Sequence, residues 1–257
     1  MPFMALREAV KGSRNVKKEA AAMLPTRERV VMISGASRGI GRAMARRLHE
    51  DGYRLSLGMR PSPAATEAVR GLEADRLLVS AYEAGEVKSA QDWVAATLAR
   101  FGRIDAVVAN AGIGLDADIE TGTEADLDAM WDVNVKGPWR LIQAAFPHLK
   151  ASGAGRVVAV ASMSGKRVKS APMTGYSMSK FALVALICGV RHSGWPHSIR
   201  ATAICPGYVT TDMTADANFP AASMTSPETI AALASLAIGL PNEATMPELA
   251  VNCVLEP

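Results

Sequence analysis

A chain of 257 residues that is 49% apolar and 21% charged can bury a sizeable core, and its composition is that of an ordinary globular protein. It has no run of eighteen apolar residues and no apolar leader ending in a small-residue cleavage site, so the expectation is a cytoplasmic protein without a membrane segment. The net charge of +3 lies in residues 1–28, where six basic residues oppose three acidic ones; the 22 basic and 22 acidic residues of 29–257 balance, which argues against nucleic acid or a membrane as partner.

Residues 1–28 read as a basic N-terminal extension dispensable to the fold, the alternatives being a loosely ordered helix, a targeting segment or a start-site artefact with Met23 as the true start. Residues 29–257 read as a single domain, since no Pro/Gly/Ser-rich linker interrupts them. Short apolar runs then alternate with amphipathic ones: VVMIS, RLSLG, LLVS, AVVAN, RVVAV, ATAIC and VNCVL. This alternation predicts an α/β protein, a parallel sheet wrapped by helices, although LLVS suits a helix end equally well.

After the first strand comes SGASRGIGRAMARRL, with Gly35, Gly39 and Gly41 at the strand-to-helix turn and Ser37, Arg38 and Ile40 between and beside them. The spacing is GxxxGxG rather than GxGxxG, but it meets the same demand. A pyrophosphate needs backbone without Cβ atoms in its way and a helix N-terminus offering free N–H groups. At the end of the second strand, where an acid usually holds the ribose 2′-hydroxyl of NAD, stand Met59 and then Arg60. Arg38 and Arg60 together suit a 2′-phosphate, so NADP(H) is favoured over NAD(H).

Farther along, Trp93, Val94, Thr97, Leu98 and Phe101 recur at helical spacing and read as core. Thr123 with Asp126 reads as a capping box, and Ser226 before Pro227 as another helix start. In YSMSK, Tyr176 and Lys180 are four apart, so a helix puts both on one face. An adjacent ammonium favours phenolate and is expected to bring the Tyr176 pKa towards neutrality, making it a general acid/base for interconverting carbonyl and alcohol. Cys188, Cys205 and Cys253 read as packing thiols, and His49, His148, His192 and His197 lack metal-ligand spacing, so no metal is expected.

SGASRGIG, ANAG (109–112), VNVKG (133–137), ASMSG (161–165), YSMSK and PGYVTT (206–211), in this order, resemble the short-chain dehydrogenase/reductase family over nearly the whole chain from about residue 29. The resemblance implies a single-domain, Rossmann-like, doubly wound parallel sheet of about seven strands flanked by helices. It also implies a catalytic set of Asn134, Ser162, Tyr176 and Lys180: Tyr176 as acid/base, Lys180 tuning it and binding the nicotinamide ribose, Ser162 on the substrate oxygen, and Asn134 holding a relay water. Asn110, Ala111 and Gly112 would line the cofactor cleft, and Pro206, Gly207 and Thr211 would embrace the nicotinamide. Among relatives the reactive serine lies three residues before a glycine, which selects Ser162 through Gly165 and leaves Ser164 as the fallback. The spacing from Ser162 to Tyr176 is one residue longer than is common, beside the basic KRVK segment.

Departures from the family pattern are Ser34 for threonine, Ala109 for the first asparagine, no clear acid near the adenine apart from Glu83, and no closing Gly-Gly segment. The resemblance implies a homodimer or homotetramer formed through the helices bearing Asn134 and Tyr176. The leading reading is an NADP(H)-dependent oxidoreductase acting on a small-molecule carbonyl or alcohol. A 3-oxoacyl-carrier reductase and a dinucleotide-binding sensor or scaffold are the alternatives. Residues 212–226 are expected to form a small, weakly polar lid.

Overall fold

The structure, a computed structural model, describes residues 22–255; the basic residues up to position 21 lie outside the described residues. Seven strands form one sheet in the order β3-β2-β1-β4-β5-β6-β7, every neighbouring pair parallel. They are β1 (Val30–Ser34), β2 (Arg54–Met59), β3 (Leu77–Ala81), β4 (Ala106–Ala109), β5 (Arg156–Val160), β6 (Arg200–Pro206) and β7 (Glu248–Val251). LLVS is therefore a strand. The last strand begins three residues before the expected VNCVL and stops at Val251. Its register is set by pairing of Glu248 through Val251 with Ala203 through Pro206, and only Val251 belongs to both segments. The expectation failed because an edge strand is half-buried and lacks the continuous apolar run of a central one.

Helices α1 (Gly39–Glu50) and α7 (Pro227–Gly239) pack on one face of the sheet against Val31, Ile33, Leu55 and Leu57. Helices α3 (Val87–Phe101), α5 (Gly137–Ala151) and α6 (Thr174–Gly194) cover the other, against Met32, Val107, Val157 and Ala203. The short α2 (Pro63–Ala68) and α4 (Glu124–Trp131) are the other α-helices among the described residues. Alternate residues of each central strand thus feed two different cores, as a doubly wound sheet requires.

The helix signals hold. Thr123 and Asp126 exchange both bonds of a capping box, and Ser226 accepts from Thr229 N. Trp93 and Thr97 are fully buried, and Trp93 Nε1 donates to Ser56 Oγ at 2.8 Å. A Cβ at Gly58 would lie 2.6 Å from the Trp93 ring, so the indole seats where β2 has no side chain. Cys205 is buried, but Cys188 faces outward on α6 and is exposed, so it is not the packing thiol expected.

Candidate active site

Strand order reverses between β1 and β4, and the loops at the C-terminal ends of these strands form the crevice where doubly wound folds bind ligands. Gly35 (φ +68°) and Gly39 (φ +51°) adopt left-handed backbone, which any other residue would take only with strain. At Gly41 a Cβ would overlap the Gly35 carbonyl, so this glycine lets α1 begin tight against the turn. Ser34 Oγ accepts from the N–H groups of Asn110 (3.0 Å) and Ala111 (3.1 Å), and Asn110 Nδ2 donates to the carbonyls of Ser34 (2.9 Å) and Gly35 (3.1 Å). Asn110 therefore ties β4 to the glycine turn.

The first turn of α1 has no side-chain cap and no acidic residue, with Arg38 at its N-cap. Free N–H groups and positive helix polarity fit the pyrophosphate of a dinucleotide. Ile40 is half-buried against the core, and Ser37 is half-buried at the turn. Arg38 Nη1 lies 3.1 Å from Asp212 Oδ2, and Arg60 Nε lies 3.9 Å from Glu83 Oε2. Both pairs are exposed and weak, so either guanidinium can turn to another anion. Thr211 Cγ2 would lie 3.1 Å from a Cβ at Gly39, which brings the start of the 212–226 segment against the glycine turn. Pro206 ends β6, and Gly207 N donates to Val251 O at 2.7 Å.

Asn134 lies in a π-turn, Asp132–Lys136, between α4 and α5. The wider turn is fixed by its side chain. Oδ1 accepts from Ile113 N at 2.9 Å, while Nδ2 donates to Ile113 O at 2.8 Å and to Ser179 Oγ at 3.0 Å. Ser179, three residues beyond Tyr176 on α6, donates in turn to Tyr176 O at 2.7 Å. Ser179 thereby links Asn134 to the tyrosine helix. A Cβ at Gly112 would lie 3.2 Å from Asn134 Oδ1 and 3.5 Å from Lys180 Nζ.

Tyr176 and Lys180 share the inner face of α6, with Lys180 Nζ 5.6 Å from the Tyr176 ring centre. Lys180 Nζ donates to Val160 O at 3.0 Å, two residues before Ser162. Ser162 caps the short turn Met163–Gly165 and accepts from Ser164 N, and its hydroxyl is the one beside Tyr176 that favours the phenolate. Ser164 does not take that place. The structure thus brings Asn134, Ser162, Tyr176 and Lys180 together.

The pKa directions correct one expectation. Burial pushes Tyr176 up to about 12, opposed only by Ser162, and pushes Lys180 down to about 8. The ammonium does not bring the phenol towards neutrality. Desolvation disfavours both charged forms and is the largest influence on each.

Residues 29–220 match the family model for short chain dehydrogenases. Agropine synthesis reductase of Rhizobium rhizogenes is 38% identical over 229 residues, which are 88% of this chain and 53% of that protein. The chain therefore spans about half the length of this relative. Two solved structures cover 89% of this chain and 98% of their own. One is a short chain dehydrogenase of Burkholderia cenocepacia J2315 in complex with NADP (28% identity, TM-score 0.82). The other is an alcohol dehydrogenase of the archaeon Thermococcus sibiricus complexed with 5-hydroxy-NADP (30% identity, TM-score 0.81).

Proposed function

The chain belongs to the short-chain dehydrogenase/reductase family of oxidoreductases, and we propose that it reduces a small carbonyl compound to an alcohol with NADPH, or runs the reverse reaction with NADP+. The observation that carries this reading is the buried Tyr176–Lys180 pair beside Ser162, at the mouth of a glycine turn fit for a pyrophosphate. When bound, the dinucleotide supplies the hydride. Everything else falls to the chain's own residues.

Tyr176, held protonated by burial, is a proton donor at neutral pH and gives its proton to the carbonyl oxygen. Ser162 positions that oxygen by hydrogen bonding, and removal of the Tyr176 proton leaves a phenolate that the Lys180 cation stabilises. Asn134 and Ser179 fix the helix bend behind the pair. The α1 N-terminus, with Gly35, Ser37, Gly39, Ile40 and Gly41, holds the pyrophosphate, and Arg38 and Arg60 turn from Asp212 and Glu83 to the 2′-phosphate. Ala111 and Gly112, braced by Asn110, line the cleft, and Pro206, Gly207 and Thr211 close it from the other side.

The weakly paired guanidinium groups of Arg38 and Arg60 and the two NADP-bound neighbours support the phosphorylated cofactor. A pure sensor would need no buried phenol beside a lysine. The test is oxidation of NADPH and of NADH against a panel of ketones, aldehydes, keto acids and β-ketoacyl thioesters. Turnover of simple carbonyls with a lower KM for NADPH is expected, and preference for NADH would overturn the cofactor reading.

Assembly as a homodimer or homotetramer is part of the same reading. Leu127 and Trp131 on α4 and Met178 on α6 are exposed and line a cavity of about 230 Å³, and Phe181 on α6 is exposed as well. Such a patch, carried by the helices that hold the site, suits an isologous contact with a second copy. Light scattering of the purified protein tests it, and a strict monomer would refute it.

A further inference from the structure

The loops that follow β5 and β6 meet at Lys169. Its Nζ donates to Tyr208 Oη at 2.9 Å and stands 4.3 Å from the centre of the Tyr208 ring. Tyr208 is in turn stacked on Phe219, with ring centres 4.9 Å apart and planes inclined by 12°. Three segments converge here. Lys169 follows Ser162 on the loop after β5, Tyr208 follows Pro206 and Gly207 at the end of β6, and Phe219 belongs to the 212–226 segment. The cluster therefore lies beyond the C-terminal ends of β5 and β6, the end of the sheet on which the crevice opens.

Lys166 is paired with Glu248, and Arg38 with Asp212. Lys169 makes no ion pair among the described residues; its partner is a neutral phenol. The phenol proton and the ammonium are two donors 2.9 Å apart, which suits the two oxygens of one carboxylate. The stacked rings beneath them offer an apolar surface for the chain that bears it.

Resting on the reading of the site as a carbonyl reductase, we propose that Lys169 and Tyr208 form a carboxylate-recognition site. The substrate is then a small keto acid, or in reverse a hydroxy acid, with its carbon chain lying against Tyr208 and Phe219. Lys169 sets specificity and takes no part in hydride or proton transfer.

The test compares 4-oxopentanoate with 4-oxopentanamide as NADPH-dependent substrates of the full chain and of its Lys169→Gln and Lys169→Arg variants. In Lys169→Gln, kcat/KM for the keto acid is expected to fall by about tenfold to a hundredfold, the worth of one hydrogen bond to a charged group, while the keto amide stays within about twofold. Lys169→Arg is expected to recover most of the loss. An equal fall for both substrates would make Lys169 only a latch on the 212–226 segment and would overturn the proposal, as would no change for either.

Calorimetric titration with pentanoate and pentanamide supplies a readout that does not depend on turnover. Pentanoate binding that needs Lys169 supports the carboxylate site even where neither carbonyl compound is reduced, an outcome in which only the reductase reading fails. Equal or absent binding of the two overturns the carboxylate site.

Discussion

Lys180 and Tyr176 lie one helical turn apart on α6, both almost fully buried, with the Lys180 nitrogen 5.6 Å from the centre of the phenol ring. Each is held in its neutral direction by desolvation, the lysine at about 8 and the tyrosine at about 12. The pair is therefore set for donating a proton.

Buried Lys180 makes stability depend on pH. Its folded pKa of about 8 lies below the ordinary 10.5, so between these values the unfolded chain holds a proton that the folded chain does not. The destabilisation by Lys180 is fully present below about pH 8 and is relieved as pH rises towards 10.5. Lys180→Met should be more stable than the wild type near neutrality, and its advantage should shrink by up to about 3 kcal/mol over that window. Urea unfolding of both proteins at several pH values checks this, and a flat or widening difference contradicts it.

Gly41→Ala should prevent the glycine turn from closing, because its Cβ would overlap the Gly35 carbonyl. The expected cost is about 2 kcal/mol or more, with loss of dinucleotide binding. Gly85→Ala is the control. Nothing lies within 4 Å of a Cβ there and no positive φ is needed, so its melting midpoint should stay close to the wild type.

Thr123→Ala removes one side of the box that caps α4, the helix running into the π-turn at Asn134. A loss of about 1 kcal/mol is expected in denaturant unfolding. Thr123→Ser should retain most of it.

Arg38→Ala should raise KM for NADPH by about tenfold or more, while KM for NADH changes little, because a lost charge-assisted bond to the 2′-phosphate affects only the phosphorylated cofactor. Equal effects on both cofactors in steady-state kinetics would assign Arg38 a structural role instead.

The sheet was legible because central strands such as VVMIS and RVVAV are buried on both faces and so run continuously apolar. Edge strand β7 was not, since its residues are only half-buried or exposed and leave no such run. Choosing Ser162 over Ser164 rested on the family resemblance, through the count to Gly165, whereas the Tyr176–Lys180 relationship follows from helical spacing alone. Ser179 could have been found by the same reasoning, lying at i+3 from Tyr176. The partners of Arg38 and Lys169, Asp212 and Tyr208, could not, because they come from distant loops that only the fold brings together. Nor could the direction of the Tyr176 shift be read from spacing, since it is set by how deeply α6 is buried.

The most direct test of the account is the rate of NADPH-dependent carbonyl reduction by Tyr176→Phe, measured beside NADPH binding by fluorescence. The account predicts binding within a few-fold of the wild type and a fall in kcat on the order of 10² or more, the contribution of a positioned general acid. Reduction undiminished in the Phe variant would contradict it.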